Sequence, residues 1–458
     1  MNLIYIFADQ WRRDVLGIYD SRVKTPNLDA FAEESAVFDR AYSSCPLCSP
    51  NRACLLTGKQ PRNTNVFTNC KPGVDAYLPE DTICVSDVLK AQGYHTGYIG
   101  KWHLDKPDGD DPNNWDAYTM PGKRRHGFDF WYSYGAHNRH SHPYYWTTEG
   151  EYVEVDEWSP KHETDVALQF LKENKDNKFA LFISYNPPHT PYDQTPEKYQ
   201  NLYTGEEKDI KAVTPAPEGA GDKLGANWNQ KENVKGYYGA VSGIDENIGR
   251  IISYLKENDH YEDTYIFISA DHGDMLGDHG RFAKHIWYEG SVGIPLIIGG
   301  GDIKPMRTDT LVGGPDQTAA ILGLLGLPIP ESMQAKDFSP LLRGESFEEY
   351  ESIMTVSFPN TKERIEEFQA HGKNFMDYGW RSIITKEYKL AILKGMSYGE
   401  KPQTFLFDLK NDPYENVNIH DDDVMQRMMR ELKKWCDATG DGFLDDLFSA
   451  CHHNDLNS

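Results

Sequence analysis

Long hydrophobic runs, cysteine and positive charge are all scarce in this sequence. No run approaches the 18 consecutive apolar residues of a membrane-spanning helix, although 39% of the 458 residues are hydrophobic. The seven cysteines are too few, and odd in number, for a disulfide scaffold. The net charge of −24 argues against nucleic acid, because a phosphate backbone requires a basic surface. We therefore expect a large globular protein whose partners are neither a membrane nor a nucleic acid.

A secretory leader is also missing from the sequence as written. The stretch MNLIYIFADQ has no basic region and no small-residue cleavage site, and Asp9 interrupts its apolar run. This predicts a cytoplasmic protein, or a periplasmic or secreted one if a signal was removed.

Short apolar runs alternate with amphipathic segments along most of the chain. The run LIYIFA, residues 3–8, is apolar at nearly every position, which is typical of a strand buried on both faces. We predict strands at 3–8, 96–99, 179–185, 264–270 and 296–298. We predict helices at 25–35, 82–92, 162–174, 233–257 and 316–325. The alternation indicates an α/β fold with a large, mostly parallel sheet sandwiched by helices.

The pattern changes after about residue 367. Three segments are typical of short antiparallel strands, at 380–385, 389–393 and 404–408. A helix with acidic residues at its start is predicted at 421–435. We therefore predict two domains, a large α/β domain at 1–367 and a small C-terminal α+β subdomain with an antiparallel sheet at 368–458.

Two of the predicted strands end in matching polar pairs. Residues 3–8 lead into Asp9 and Gln10, and residues 264–270 lead into Asp271 and His272. Ligands gather beyond the carboxyl ends of strands in open α/β sheets, so these four side chains could lie together. Their oxygens favour Ca²⁺ or Mg²⁺, and the imidazole also admits Mn²⁺ or Zn²⁺. The alternative is that they cap helices at strand–helix turns, where Asp is common.

The stretch CPLCSPNRACLLTG, residues 45–58, offers two interpretations of its cysteines. Cys45 and Cys48 form a C-x-x-C, the pattern of a thiol redox pair or of half a zinc site, but no second Cys/His pair at zinc spacing accompanies it. Cys48 also precedes a predicted helix start at 52–57, where free N–H groups and the helix dipole favour an anion. Arg52 could bind a tetrahedral oxyanion through paired hydrogen bonds. The segment therefore suits an anionic group, with Cys48 beside it.

The motif C-S-P-N-R, followed by A-C-L-L-T-G-K, resembles the signature of the type I sulfatases. Four further segments resemble family motifs in the same order: GYHTGYIGKWHL at 93–104, NPPHTPY at 186–192, ADHGDMLGDHGRFAKH at 270–285 and LFDLKNDPYENVN at 406–418. The match spans nearly the whole chain, which is more specific than any single motif. The chain is therefore identified as a member of the formylglycine-dependent sulfatases of the alkaline phosphatase superfamily.

This resemblance implies an alkaline phosphatase-like fold, a sulfuric ester hydrolase activity and two components of the site. A maturation enzyme would convert Cys48 to formylglycine, whose hydrated gem-diol would be the nucleophile. A divalent metal, Ca²⁺ in preference to Mg²⁺ or Mn²⁺, would complete the site. Its ligands would be Asp9, Gln10, Asp271 and His272.

The resemblance also implies roles for five cationic or imidazole side chains. Arg52 and Lys101 would position and stabilise the diol. His103 would act as the base when the sulfo-enzyme hemiacetal collapses. His189 and Lys284 would contact the sulfate, and one of them would protonate the leaving oxygen.

Three positions depart from the commonest family pattern. Asn51 stands where Ser or Ala is usual, Gln10 replaces a frequent Asp, and His272 replaces a frequent Asn. The last two resemble variants found in phosphonate monoester and phosphodiester hydrolases, whose activity is therefore the alternative. A non-enzymatic binding protein on the same fold is a third hypothesis, against which the complete set of motif residues argues.

An aromatic- and histidine-rich segment is the candidate for substrate selection. Residues 107–158 show no periodicity, and irregular segments of this length are usually functional. Aromatic faces suit sugar stacking, and basic side chains could bind hydroxyls, a carboxylate or a second sulfate. The candidates are His137, Arg139, His140 and His142. Together with KRRHG at 123–127 they would offset the negative charge at the mouth of the site, so we predict a small, exo-presented sulfated saccharide as the substrate.

Overall fold

A ten-stranded sheet runs through the centre of the computed structural model, which describes residues 1–107, 109, 111, 113–204, 230–445 and 447. The strands of this sheet and of two smaller sheets are β1 (Asn2–Asp9), β2 (Ala36–Phe38), β3 (Ala41–Tyr42), β4 (His95–Lys101), β5 (Phe130–Tyr134), β6 (Tyr144–Trp146), β7 (Tyr152–Glu154), β8 (Phe179–Pro188), β9 (Thr264–Ala270), β10 (Gly293–Ile294), β11 (Ile297–Gly300), β12 (Met306–Thr308), β13 (Val312–Gly313), β14 (Ile353–Ser357), β15 (Gly379–Ile384), β16 (Tyr388–Gly395) and β17 (Gln403–Asp408). The helices are α1 (Pro26–Glu33), α2 (Cys48–Thr57), α3 (Val85–Ala91), α4 (Ser159–Glu173), α5 (Glu197–Gln200), α6 (Gln230–Glu257), α7 (Glu289–Val292), α8 (Gly314–Leu324), α9 (Ser339–Leu342), α10 (Lys362–Ala370) and α11 (Asp422–Thr439).

The strand order in this sheet is β12-β2-β11-β9-β1-β8-β4-β5-β6-β7. Strands β9, β1, β8, β4 and β5 run parallel to one another, and the antiparallel pairs lie towards the two edges. The predicted α/β class with a mostly parallel sheet is confirmed. A separate three-stranded sheet has the order β10-β3-β13.

Helices cover both faces of the central strands, which explains why β1 is apolar at nearly every position. On one face, Tyr5 contacts Phe182 and donates a hydrogen bond from its hydroxyl to Gln317 of α8 at 2.9 Å. On the other face, Leu181 lies beside Phe170 of α4 around the close approach at Gly97. The carboxyl ends of these buried parallel strands lie together at one edge of the core, and the candidate site lies at that edge.

The aromatic segment at 107–158 is more regular than the sequence predicts. It contributes β5, β6 and β7, which close one edge of the large sheet. The reason that no periodicity is visible is that aromatic residues occupy successive positions of β5, FWYSY, so the two faces of the strand do not differ in polarity.

The C-terminal region contains the predicted antiparallel sheet, with four strands in the order β14-β15-β16-β17 and α11 packed against it. Its first strand, Ile353–Ser357, lies N-terminal to the boundary that we predict at residue 367. Thr25 precedes α1, but its side chain does not cap that helix, because Oγ1 instead accepts a hydrogen bond from Gly17 N at 2.7 Å. Among the described residues, none of the helices has the length and apolar character needed to cross a membrane.

Candidate active site

Helix α2 carries the candidate nucleophile at its first residue. We predict a helix start at 52–57, and the structure corrects this: the helix already begins at Cys48. The first turn forms because the Asn51 amide donates to the Leu47 carbonyl at 3.1 Å. Cys48 therefore lies at the positive end of the helix dipole rather than outside the helix.

The thiol of Cys48 points into a buried cluster of charged groups. Its Sγ lies 3.5 Å from Asp9 Oδ1 and 3.3 Å from His272 Nε2. Burial and the Asp9 carboxylate raise the pKa of the thiol, but the cations Lys284 and Lys101 outweigh them and hold its pKa below the ordinary value. The side chain at this position thus lies where negative charge is stabilised.

Asp9 ends β1 and Asp271 follows β9, and the two lie side by side because these strands pair in parallel and in register. The predicted proximity of the two strand ends is confirmed. Asp9 Oδ1 and Asp271 Oδ1 lie 3.5 and 3.6 Å from His272 Nε2. With the Cys48 thiol, these ligand atoms all lie within 4.8 Å of one another.

The donor set of this cluster fits a divalent metal. His272 Nδ1 lies 2.9 Å from the carbonyl oxygen of Gly273 and donates to it, which leaves Nε2 with its lone pair facing the two carboxylates. Two carboxylate oxygens and an imidazole nitrogen suit such a cation. Gln10, the fourth predicted ligand, lies beside the cluster, where its Oε1 accepts a hydrogen bond from Lys284 Nζ at 2.5 Å. That these side chains bind metal stays a prediction.

Each buried carboxylate divides its two oxygens between different partners. Asp9 Oδ2 accepts from Lys101 Nζ at 2.6 Å and from Arg52 Nη2 at 3.1 Å, while its Oδ1 faces His272. Asp271 Oδ2 accepts from Arg52 Nε at 2.9 Å, and its Oδ1 faces His272 in the same way. Burial alone would raise the pKa of Asp9, but Lys101 and the other cations hold it well below its ordinary value. Arg52 orients both carboxylates, and together with Lys101 it keeps Asp9 ionised.

His103 is buried, and its ring makes few polar contacts. Only 4% of its surface is exposed, and neither ring nitrogen has a hydrogen-bond partner among the described residues. Its backbone has φ 53°, which is rare for a residue other than glycine. Burial, together with the charges of Lys101 and Arg52, lowers the pKa of His103 well below its ordinary value. The ring is therefore neutral and free to accept a proton.

His189 and Lys284 approach the cluster from two other segments. His189 Nδ1 donates to the Thr190 carbonyl at 2.8 Å, which leaves Nε2 as the nitrogen with the lone pair. Burial and Lys284 lower the pKa of His189 well below its ordinary value. Burial lowers the pKa of Lys284, but Cys48 and Asp9 outweigh it, so that pKa is raised. The arrangement places a neutral imidazole near Asp9 and a charged ammonium near the Cys48 thiol.

Several buried polar residues that support the site were not predicted. Asn186 Oδ1 accepts from Lys101 Nζ at 3.2 Å, and Ser184 Oγ accepts from Arg52 Nη1 at 2.6 Å. Asp274 Oδ2 accepts from Gln10 Nε2 at 2.5 Å and from the Tyr192 hydroxyl at 2.5 Å. Asn186, Tyr192 and Asp274 lie inside motifs quoted above, so membership of those motifs was the available signal. Ser184 carried none, because it lies within an apolar strand.

Two of the four candidate substrate-binding residues form internal contacts. His137 Nε2 lies 3.0 Å from the Tyr144 carbonyl, and its ring stacks on Tyr134 with centroids 3.8 Å apart. His140 is buried, and its Nε2 lies 2.9 Å from the His189 carbonyl. Burial lowers the pKa of His137 to about 3 and that of His140 to about 4. His140 therefore supports the backbone that carries His189.

The other two candidates are exposed and face acidic residues. Arg139 Nη1 lies 3.6 Å from Glu154 Oε1, and its guanidinium lies over the Tyr144 ring. His142 Nδ1 lies 2.8 Å from Asp156 Oδ1. A role in substrate binding stays a prediction for all four residues.

Cys45 is a free, buried cysteine whose surroundings and pKa differ from those of Cys48. Burial raises its pKa to about 12, and it packs among the apolar side chains that join the C-terminal sheet to the rest of the molecule. The six cysteines in the described part of the chain form no disulfide, and Cys451 lies outside the described residues. The structure thus gives Cys45 a packing position, whereas Cys48 lies among charged groups.

Comparison with known families finds two matching profiles. One, described as Sulfatase, matches residues 1–327. The other, described as N-sulphoglucosamine sulphohydrolase, C-terminal, matches residues 277–439. Together they span most of the chain.

Known relatives are similar over nearly the full chain. An endo-4-O-sulfatase of Bacteroides thetaiotaomicron is 33% identical, with 94% of this chain and 91% of that protein covered. An ulvan-active sulfatase of Formosa agariphila is 32% identical, with 94% and 79% covered. The crystal structure of a putative sulfatase from Bacteroides fragilis superposes with a TM-score of 0.85 at 33% identity and covers 97% of each chain.

Proposed function

The chain belongs to the sulfatase family and is a sulfuric ester hydrolase, and we propose that it hydrolyses a sulfate monoester on a saccharide by means of a formylglycine made from Cys48. The observation that carries this proposal is the convergence of Cys48 and two carboxylates with the cations Arg52, Lys101 and Lys284 at one end of the parallel strands. The saccharide class is supported by relatives that are named endo-4-O-sulfatase and ulvan-active sulfatase.

Position 48 suits a nucleophile that must attack an anionic ester. A formylglycine there supplies a hydrated aldehyde, in which one hydroxyl attacks sulfur and the other allows sulfate to be released with return of the aldehyde. A thiol has no second hydroxyl and could not complete this cycle. The proposal therefore requires a maturation enzyme as a partner that acts on Cys48.

The cationic side chains have distinct positions around the nucleophile, and we assign their roles accordingly. Sulfate ester cleavage requires positive charge around three sulfate oxygens, as phosphoryl transfer does. Lys284 acts on the Cys48 thiol, and His189 lies near Asp9 and Lys284, so both would contact the sulfate, with one of them giving a proton to the leaving oxygen. Arg52 and Lys101 hold the Asp9 carboxylate and would orient the diol.

His103 is assigned the role of general base for sulfate release. A base must be neutral when it acts, and burial lowers the pKa of His103 so that the ring is neutral. No hydrogen bond of good geometry holds either nitrogen among the described residues, and only the Cys70 backbone interacts with the ring, so the ring could accept a proton of the nucleophile.

A divalent cation is the proposed cofactor, held by Asp9, Gln10, Asp271 and His272. When bound it supplies positive charge that stabilises the sulfate oxygens and the ionised nucleophile. We propose Ca²⁺, because three of the four ligands offer oxygen and Ca²⁺ prefers oxygen ligands. For Gln10 to contribute, its oxygen must exchange the Lys284 ammonium for the cation.

We further propose that the enzyme acts on a small saccharide presented at its end. The chain carries 71 acidic and 47 basic residues, so a long polyanion would be repelled outside the cationic mouth of the site. Rates measured on a sulfated oligosaccharide series should not rise with chain length. A steep rise would contradict the exo-acting assignment and leave the sulfatase assignment in place.

The reaction itself is tested by comparing matched esters of sulfur and phosphorus. The matured enzyme should show a higher kcat/KM for a sulfate monoester such as 4-methylumbelliferyl sulfate than for the corresponding phosphodiester or phosphonate monoester. The reverse order would favour the phosphonate monoester and phosphodiester hydrolase alternative. Replacement of Cys48 by alanine should abolish turnover of both, because the nucleophile is shared.

A further inference from the structure

Two cations near the proposed sulfate pocket form no salt bridge in the part of the chain that the structure describes. The Lys71 ammonium and the Arg364 guanidinium form no ion pair and no side-chain hydrogen bond with a described residue. Both side chains are half-buried. Burial, together with Arg364, outweighs the attraction of Glu363 and lowers the pKa of Lys71. In a chain with such an excess of carboxylates, two neighbouring cations without a salt bridge need an explanation.

The segment that carries Lys71 is anchored directly to the nucleophile helix. The amide of Ser49, the residue after Cys48, donates to Asn69 Oδ1 at 3.1 Å. The Cys70 amide donates in turn to Ser49 Oγ at 3.1 Å. Lys71 therefore follows a segment that is held within two hydrogen bonds of the proposed nucleophile.

Arg364 reaches the same region from the C-terminal side. It lies in the first turn of α10, which follows β14, and Ser357 at the end of β14 contacts His285 Nε2 at 2.6 Å. His285 is the neighbour of Lys284. Burial, followed by the charges of Lys71 and Arg364, lowers the pKa of His285 to about 4, which shows that both cations act on this side of the site.

An exposed aromatic ring lies between Lys71 and the proposed base. The Trp115 side chain is 38% exposed, and the Lys71 ammonium lies 5.6 Å from its ring centroid. The same ring lies 6.5 Å from the ring of His103, centroid to centroid. An exposed indole face is a suitable platform for a pyranose ring, because it offers a large apolar surface at the edge of a polar site.

We propose that Lys71, Trp115 and Arg364 form a second anion subsite, which binds a carboxylate or a second sulfate carried by the saccharide whose sulfate is cleaved. The proposal rests on the proposed function and specifies its substrate class: a saccharide with a second anionic group beside the scissile ester. Trp115 would stack on the sugar ring, and the two cations would bind the second anion.

Arg139 is less suited to this role than either cation. Its guanidinium already faces Glu154 and covers the Tyr144 ring, so binding an anion would require the loss of both contacts. Lys71 and Arg364 would gain an anionic partner without breaking a salt bridge. The two cations of the subsite therefore come from outside the aromatic segment 107–158, which contributes only Trp115.

The test compares three probes with the matured enzyme. They are a methyl hexosaminide with one sulfate, the same glycoside with a second sulfate, and a disaccharide in which the monosulfated hexosamine adjoins a uronic acid. Wild type should prefer at least one of the doubly anionic probes by kcat/KM. Lys71→Ala and Arg364→Ala should each lower that preference about tenfold, since a hydrogen bond to a charged group is lost. Arg364→Lys should retain part of it.

A matched control separates the subsite from general charge effects. Lys433→Ala removes the same charge from an exposed ion pair with Asp437 on α11 and should leave the preference unchanged. Thermal unfolding of every variant excludes misfolding as the cause. A preference confined to the uronate probe identifies the ligand as a carboxylate, and one confined to the disulfated probe identifies it as sulfate.

The outcomes distinguish this inference from the proposed function. If wild type cleaves the monosulfated probe as well as the other two, or if the two alanine variants keep the preference, the subsite is wrong and the sulfatase assignment stands. If wild type hydrolyses 4-methylumbelliferyl sulfate but none of the three probes, the subsite and its substrate class are wrong and the sulfatase assignment stands. If it hydrolyses none of the four, the proposed function fails, and the subsite fails with it.

Discussion

At the scale of single residues, the site is organised by two carboxylates, each of which uses its two oxygens for different partners. Asp9 and Asp271 each turn one oxygen to a cationic side chain and the other towards His272. The cations keep Asp9 ionised, and the Oδ1 atoms of both carboxylates converge where a divalent cation would have its ligands. Burial alone would lower the pKa of Arg52, but the Asp271 and Asp9 carboxylates outweigh burial, so the guanidinium remains charged.

Removal of metal should therefore abolish activity. Dialysis of the matured enzyme against a chelator is expected to eliminate sulfate release, because the cation supplies charge that the side chains alone do not replace. Added Ca²⁺ should restore more activity than equal Mg²⁺ or Mn²⁺, and should raise the unfolding temperature as a ligand of the native state does. Full activity after chelation would contradict the metal assignment.

Asn51 departs from the usual Ser or Ala of the motif, and the structure gives it two buried hydrogen bonds. Its Oδ1 accepts from the Ser44 amide at 3.0 Å, and its Nδ2 donates to the Asp271 carbonyl at 2.6 Å. Asn51 thereby joins the nucleophile helix to the strand end that carries Asp271. Gly314 leaves room for it, since a Cβ there would lie 2.8 Å from Asn51 Oδ1.

Asn51→Ala should lower the free energy of unfolding by about 2 kcal/mol, because it leaves two buried backbone groups without partners. Asn51→Ser, which restores the common residue, should recover less than half, since a hydroxyl is too short to reach both groups. Chemical denaturation of the three proteins measures this. Equal stability of wild type and Asn51→Ala would show that the two hydrogen bonds contribute nothing.

At the scale of elements, the end of β4 determines where Lys101 lies. Gly100 precedes it with φ 95°, and a Cβ at Gly100 would lie 2.1 Å from the Ser184 carbonyl of β8. Both the dihedral angle and the close approach require glycine. The neighbouring strand cannot give way cheaply, because Ser184 also accepts a hydrogen bond from Arg52.

Gly100→Ala should therefore destabilise the protein by at least about 3 kcal/mol, through strain and a backbone clash, and should lower kcat by displacing Lys101. Gly93→Ala is the matched control. Gly93 also has a positive φ, 81°, but no atom lies within 4 Å of its Cβ position. That variant should lose only about 1 kcal/mol and no activity. Equal losses in the two variants would contradict the steric argument.

At the scale of the whole molecule, a buried charge cluster joins the C-terminal sheet to the catalytic part. Lys389 of β16 lies 2.7 Å from Glu289 of α7 and 2.6 Å from Glu415. Burial and Glu289 outweigh Lys389 and raise the pKa of Glu415 to about 7. Lys389 and Arg13 outweigh burial and lower the pKa of Glu289 to about 2.

The raised pKa of Glu415 predicts a specific pH dependence of stability. Between about pH 4.5, the ordinary pKa of Glu, and pH 7, the unfolded chain has lost a proton that the folded protein keeps. The contribution of Glu415 to the free energy of unfolding therefore falls as pH rises, by up to about 1.4 kcal/mol per pH unit. Glu415→Gln should remove this slope. Denaturation of both proteins from pH 5 to 8 measures it, and identical slopes would show that Glu415 is not protonated in the fold.

Much of the fold and of the site could be predicted from the sequence, and the exceptions have physical reasons. Buried parallel strands such as 3–8 can be predicted from their unbroken runs of apolar residues. Asp9 and Asp271 could be identified because each is the first charged residue at the end of such a run. Strands β5 to β7 did not, because aromatic residues on both faces conceal the alternation. Lys71 and Arg364 were not predicted because a cation without a partner can be recognised only when its surroundings are known.

The central claim is that Cys48 works as formylglycine, and one measurement tests it most directly. The protein would be produced with graded amounts of a maturation system, and each preparation assayed for sulfate release and for the converted fraction of the Cys48 peptide by mass spectrometry. We predict that specific activity is proportional to the converted fraction and is zero without conversion. Full activity in protein whose Cys48 is entirely an unmodified thiol would contradict the account.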